Sequence, residues 1–127
     1  DIIIFAISIT RFESYKAREK LEKKGIKVGV VNLLWLKPLK IKIKWINCLR
    51  KSKFGGIVID DDYENGISKS IANDLNLRSK KQMHTMGLKD KSAGFYKTAD
   101  NLPPNADEIC QKIQKIVKKK LKLIIRK

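Results

Sequence analysis

Ile2-Ile3-Ile4-Phe5-Ala6-Ile7 is a short, continuous, β-branched apolar run, and Thr10 with Glu13 follows it at capping-box spacing. An apolar run without alternation reads as a strand buried on both faces, the kind found in parallel sheets. Ser or Thr followed three residues later by Glu marks a helix start. The stretch is therefore read as a strand leading into a helix, from about Arg11 to Lys24. Ser14, Ala17 and Leu21 fall on one helix face, where small residues allow close approach to a sheet. Gly25 sits where a helix terminus wants a left-handed residue.

The same strand-helix alternation repeats to the end of the chain. Val28-Gly29-Val30-Val31 lies within a second β-rich run, Ile26–Leu34. Ile41, Trp45, Cys48 and Leu49 make an apolar stripe that predicts a helix reaching to Ser52. Gly55-Gly56 punctuates, and Ile57-Val58-Ile59 reads as a third buried strand ending in Asp60-Asp61-Asp62. Asn65-Gly66 opens a helix with Ile67, Ile71 and Leu75 on one face. Lys81–Met86 predicts a fourth strand, and Gly87 to Pro104 a long loop. Asn105, with Glu108 three residues on, starts a last helix whose apolar face is Ile109, Ile113, Ile116, Val117 and Ile124. Strands alternating with helices predict a three-layer α/β/α, doubly wound fold with a mainly parallel sheet of about four strands.

The composition bounds what such a fold can do. At 127 residues the chain makes one domain. Lys plus Arg is 29 and Asp plus Glu 13, for a net charge of +16. No apolar run approaches the roughly 20 residues of a membrane span. Cys48 and Cys110 do not make a disulfide framework, so a reducing compartment, the cytoplasm, is expected. Both cysteines lie at or beside helix stripes and read as inert buried thiols. The chain opens on Asp1 and enters a strand at once, which leads to the expectation of a fragment of a longer chain or a split subunit.

Few residues point to chemistry. Doubly wound sheets bind ligands at the carboxyl ends of their strands, here Ser8 to Thr10 and the cluster Asp60, Asp61 and Asp62. Three clustered carboxylates could bind Mg²⁺ or act as paired acids, and equally form a solvated turn. His84, the single histidine, has no partner at metal or nucleophile spacing and reads as a strand residue. Gly55-Gly56 precedes a strand, so it cannot cradle a phosphate at a helix N-terminus. Gly66 opens a helix but stands alone beside acids. Lys37, Lys40, Lys42, Lys44, Arg50, Lys51 and Lys53 form an acid-free run, as do Lys112, Lys115, Lys118, Lys119, Lys120, Lys122, Arg126 and Lys127. Such faces could track a phosphate backbone, making a basic nucleic-acid-binding module the rival of another class. Lysine predominates and no known nucleic-acid-reading motif appears, which favours solvated helix faces and a compositional bias.

The order of motifs resembles the C-terminal domain of the transketolase-like thiamine-diphosphate enzymes. The resemblance rests on Gly25 to Leu33 followed by Leu36-Lys37-Pro38-Leu39, on Gly56-Ile57-Val58-Ile59-Asp60-Asp61, and on Gly66-Ile67 with Ile71-Ala72 and Leu75. Leu102-Pro103-Pro104-Asn105 to Ile109 is similar to the proline turn and last helix of 2-oxoacid dehydrogenase beta subunits. The match runs from Asp1 to about Lys119. Lys40 stands where the family usually has Asp, and Asp60-Asp61 replaces a Glu pair. The resemblance implies strand order second-first-third-fourth and a supporting role in dimerisation, the active-site mouth and partner docking. It places thiamine diphosphate and Mg²⁺ in other domains of the parent enzyme. It implies no catalytic, cofactor-binding or metal residue here, and a chain inactive on its own. Transketolase proper and deoxyxylulose-phosphate synthase are the nearest alternatives. It also implies an apolar interaction surface drawn from residues 87–104.

Overall fold

A computed structural model describes residues 1–92 and 101–126. The elements run β1 (Ile2–Ile7), α1 (Thr10–Glu22), β2 (Val28–Leu33), α2 (Ile43–Lys51), β3 (Gly56–Tyr63), α3 (Ile67–Ser79), β4 (Met83–Leu88) and α4 (Ala106–Ile125). The sheet order is β2-β1-β3-β4, every pair parallel. This is the expected doubly wound order, with its switch between β1 and β3.

Alternation along the strands builds two cores. Ile2, Ile4 and Ala6 of β1 and Ile57 and Ile59 of β3 face α1 and α4, joining Ala17, Leu21, Ile109 and Ile113. Phe5, Ile7 and Val58 face the other way, onto Ile46 and Leu49 of α2 and Ile71 and Leu75 of α3. β1 is almost fully enclosed, as its uninterrupted apolar run requires.

Helix ends follow local chemistry, with one departure. α1 closes in a Schellman pattern: Ile26 N–H donates to Leu21 O at 3.0 Å and Gly25 N–H to Glu22 O at 3.0 Å, with Gly25 at φ +79°. α4 opens in the expected capping box, Glu108 N–H donating to Asn105 Oδ1 at 2.9 Å and Asn105 N–H to Glu108 Oε2 at 3.1 Å. The expected Thr10–Glu13 box does not form. Thr10 is the first helical residue, and its buried hydroxyl lies 2.6 Å from Ile7 O and 3.0 Å from Ile59 O. Glu13 instead accepts from Ala106 N–H, the orphan donor at the start of α4, at 2.8 Å. With Lys20–Asp107 at 2.6 Å, this clamps α1 to α4. A tertiary acceptor has replaced a local one.

Other boundaries differ where tertiary pairing overrides local pattern. β4 spans Met83–Leu88, later than the expected Lys81–Met86, and β3 runs on past Ile59 to Tyr63. Tyr63 pairs with Leu88 beyond an irregularity, and Glu64 N–H donates to Leu88 O at 3.0 Å. The three aspartates are thus part of an extended strand end, not a turn. α2 turns Ile46 and Leu49 inward and leaves Cys48 exposed, so the expected burial of that thiol is corrected. Trp45 meets Phe5 edge-to-face at 6.2 Å. Ile124, expected on the buried face of α4, is 66% exposed. The last two turns of the helix overrun the sheet.

Candidate functional site

The carboxyl ends of β1, β2 and β3 gather the residues with chemical potential. Ser8 leaves β1 at φ +57°, a left-handed conformation uncommon for a side-chain-bearing residue. Thr10, two residues on, secures the end of β1 to the end of β3 through its hydroxyl. Asp60 follows Ile59 on β3 with its side chain turned inward, 2% exposed. Asp62 N–H donates to Asp60 Oδ1 at 3.3 Å, while Oδ2 is buried with no partner among the described residues. Burial, opposed by the Asp62 N–H and reinforced by Asp61, pushes the Asp60 carboxyl above the usual range. Asp61 is half-buried and Asp62 exposed.

Among the described residues no group of three His, Cys, Asp or Glu side chains could hold a metal ion. His84, on β4, is half-buried with Nε2 lacking a partner among the described residues. Burial first, then Lys112, Lys120 and Lys119, push its pKa down, which keeps the ring neutral and unsuited to general-acid work.

The remaining sequence candidates are structural. Cys110 is buried, its Sγ 3.5 Å from Ala17 O, and burial raises its pKa, which suppresses the thiolate. Gly55 has φ +80° and a Cβ there would collide with the Gln82 carbonyl. It admits β4 against the start of β3 and forms no phosphate loop. Gly66 caps α3 without a side-chain bond. The basic residues of α4 line its solvent side, Lys112, Lys115, Lys118, Lys119 and Lys122 exposed and Lys120 half-buried. Residues 93–100 of the expected interaction loop lie outside the described residues.

Two surface features were not anticipated from sequence. Large apolar side chains stand uncovered at the start of α1 and the end of β2: Ile9, Phe12 and Leu34, the last 71% exposed. Arg11 and Leu34 share a hollow of about 200 Å³ that joins these two segments. Beside it, the segment from β2 to α2 encloses a cleft of about 430 Å³ lined by residues including Trp35, Pro38, Leu39, Lys40, Lys42 and Trp45. Leu34 ends the β-rich run Ile26–Leu34 and Trp35 follows it with no strand or helix period, so pattern reading had no means to show that both are uncovered.

Comparison with known proteins agrees with this architecture. Residues 1–109 match the family described as transketolase, C-terminal domain. A solved structure titled as a split-gene transketolase, inactive β4 tetramer, superposes with a TM-score of 0.74 at 19% identity. The superposition covers 93% of this chain and 38% of that one. At that identity the likeness concerns the fold alone, and the chain spans well under half of its structural neighbour. No curated protein sequence matches it.

Proposed function

Because this chain belongs to the transketolase C-terminal domain family, we propose that it is a non-catalytic domain of a thiamine-diphosphate-dependent enzyme. Its role is to support assembly of the subunits, to shape the mouth of the active site and to dock a partner. The described residues do not fit the cofactor. Its Mg²⁺ would need converging oxygen ligands, and no group of three His, Cys, Asp or Glu side chains among the described residues could hold it. The inward-turned Asp60, with its raised pKa, offers no place for a diphosphate. No chemical step is therefore assigned to this chain.

The observation that carries this reading is the uncovered end of α4. Leu123, Ile124 and Ile125 are 54%, 66% and 83% exposed, about two turns beyond the buried Ile116 and Val117. Contiguous exposed apolar surface marks an interaction site. With the apolar start of α1, it gives the domain faces that another domain or subunit would cover. Light scattering tests this: the reading expects self-association or a complex with the cofactor-binding chain, weakened by Ile124→Ser with Ile125→Ser. A monomer that binds no such chain overturns it.

Within the family, the Leu102-Pro103-Pro104 turn supports the 2-oxoacid dehydrogenase beta-subunit type. Transketolase proper is the second reading, supported by the split-gene transketolase whose fold this chain shares. Substrate turnover by the assembled enzyme distinguishes them: oxidative decarboxylation of a 2-oxoacid for the first, ketol transfer between sugar phosphates for the second. A nucleic-acid role would appear as tight binding to random duplex DNA with a steep salt dependence. Neutralising about 6–10 phosphates through the acid-free faces would lose roughly 10³–10⁵ in affinity across moderate salt.

A further inference from the structure

Both of the chain's two tryptophans stand on one cleft. β2 ends in Asn32-Leu33, the chain turns through Leu34-Trp35 and the cis Lys37–Pro38 peptide, and α2 brings Trp45 back to face the opening. The walls are Leu33, Leu34, Trp35, Pro38, Leu39 and Trp45, and the charged residues are Lys40 and Lys42. Among the described residues no carboxylate lines the cleft. Neither lysine joins an ion pair among the described residues. Lys42 Nζ lies 5.7 Å from the centroid of the Trp45 ring, which holds one ammonium against an aromatic wall. The volume of about 430 Å³ falls within the roughly 300–1,000 Å³ of small-molecule sites, which are apolar hollows with a few placed polar groups. Asn32 also lines it and carries an acceptor oxygen with no partner among the described residues.

We propose that this cleft binds a small amphipathic anion. Its flat apolar body lies against the indoles of Trp35 and Trp45, and its carboxylate, phosphate or sulfonate group is held by Lys40 and Lys42. The chemistry follows from the lining. Aromatic walls supply contact area at low entropic cost, and two unpaired ammonium groups select the charge. The excess of positive charge over the whole chain concentrates anions at its surface. The size of the hollow favours a small molecule over a polypeptide segment.

The two tryptophans make the test direct. The full chain is titrated with 1-anilinonaphthalene-8-sulfonate while tryptophan emission is followed. The same titration is run with the uncharged N-phenyl-1-naphthylamine and with a Lys40→Gln/Lys42→Gln variant, whose exposed substitutions leave the core intact. The expected result is saturable, one-to-one quenching by the sulfonate. Affinity falls about ten-fold or more for the neutral amine and for the variant, the loss expected when charge-assisted contacts are removed. Quenching that does not saturate, equal affinity for the two probes, or an unchanged variant would each overturn the proposal. Carboxylate and phosphate sources are then separated by displacing the sulfonate with naphthoate and with naphthyl phosphate.

Discussion

Replacing Thr10 with valine tests the clasp that holds the two central strands together at their carboxyl ends. The side chain is 1% exposed, and its hydroxyl lies 2.6 Å from Ile7 O and 3.0 Å from Ile59 O. Valine preserves the shape and removes the single proton that these carbonyls share. One hydroxyl donates one strong bond at a time, so the loss is one bond plus the poorer satisfaction of a buried acceptor. That sums to about 1–3 kcal/mol. For a domain of this size each kcal/mol moves Tm by about 3–6 °C. The control is Thr10→Ser, which keeps the donor and deletes one methyl, worth about 1 kcal/mol. Thermal denaturation by circular dichroism should therefore rank wild type above Thr10→Ser, and Thr10→Ser above Thr10→Val. Hydrogen exchange should quicken first at the carboxyl ends of β1 and β3 in the valine variant. A valine variant as stable as the serine variant would refute the reasoning, because packing rather than hydrogen bonding would then hold the site.

Other consequences can be checked on the same material. Asp60 has its folded-state pKa raised, so its contribution to stability is fully present below the unfolded pKa and is lost as pH rises through the folded one. Asp60→Asn should raise the urea midpoint near neutral pH and match wild type as pH falls toward about 4, and a variant weaker than wild type at neutrality would contradict this. Gly55→Ala combines a left-handed backbone with a collision against Gln82 and should cost about 2–5 kcal/mol. Gly25→Ala, with the same sign of φ and open space around it, should cost only about 1–2 kcal/mol, and equal costs would exclude the collision. A thiol reagent should modify Cys48 in the native state and Cys110 only after unfolding; the reverse order would overturn the placement of α2.

How much of this was legible beforehand depended on whether the deciding contact was local. The run Ile2–Ile7, the glycine after α1 and the Asn105–Glu108 box are local signals, and each lies where its chemistry requires. Thr10 and Glu13 had the right spacing for a box, yet their partners are Ile59 O and Ala106 N–H, far away in sequence. The rotation of α2 that exposes Cys48 depends on which side chains meet Phe5 and Val58 across the sheet, and a stripe drawn on one helix cannot reveal it. The aspartates were identified as the chemistry-bearing group, but the depth of Asp60 follows from the extension of β3 alongside β4. The stripe placed Trp45 on α2, but the cleft itself left no trace in the pattern, because a loop with no period carries Trp35 to it.

Steady-state turnover in the presence of thiamine diphosphate and Mg²⁺ tests the central claim most directly. It would be measured for this chain alone and for the chain mixed with the cofactor-binding polypeptide of its parent enzyme. The account expects no product from the chain by itself and sustained turnover from the mixture. Turnover by the isolated chain would contradict it, since the reacting groups would then have to reside among residues assigned here to scaffolding.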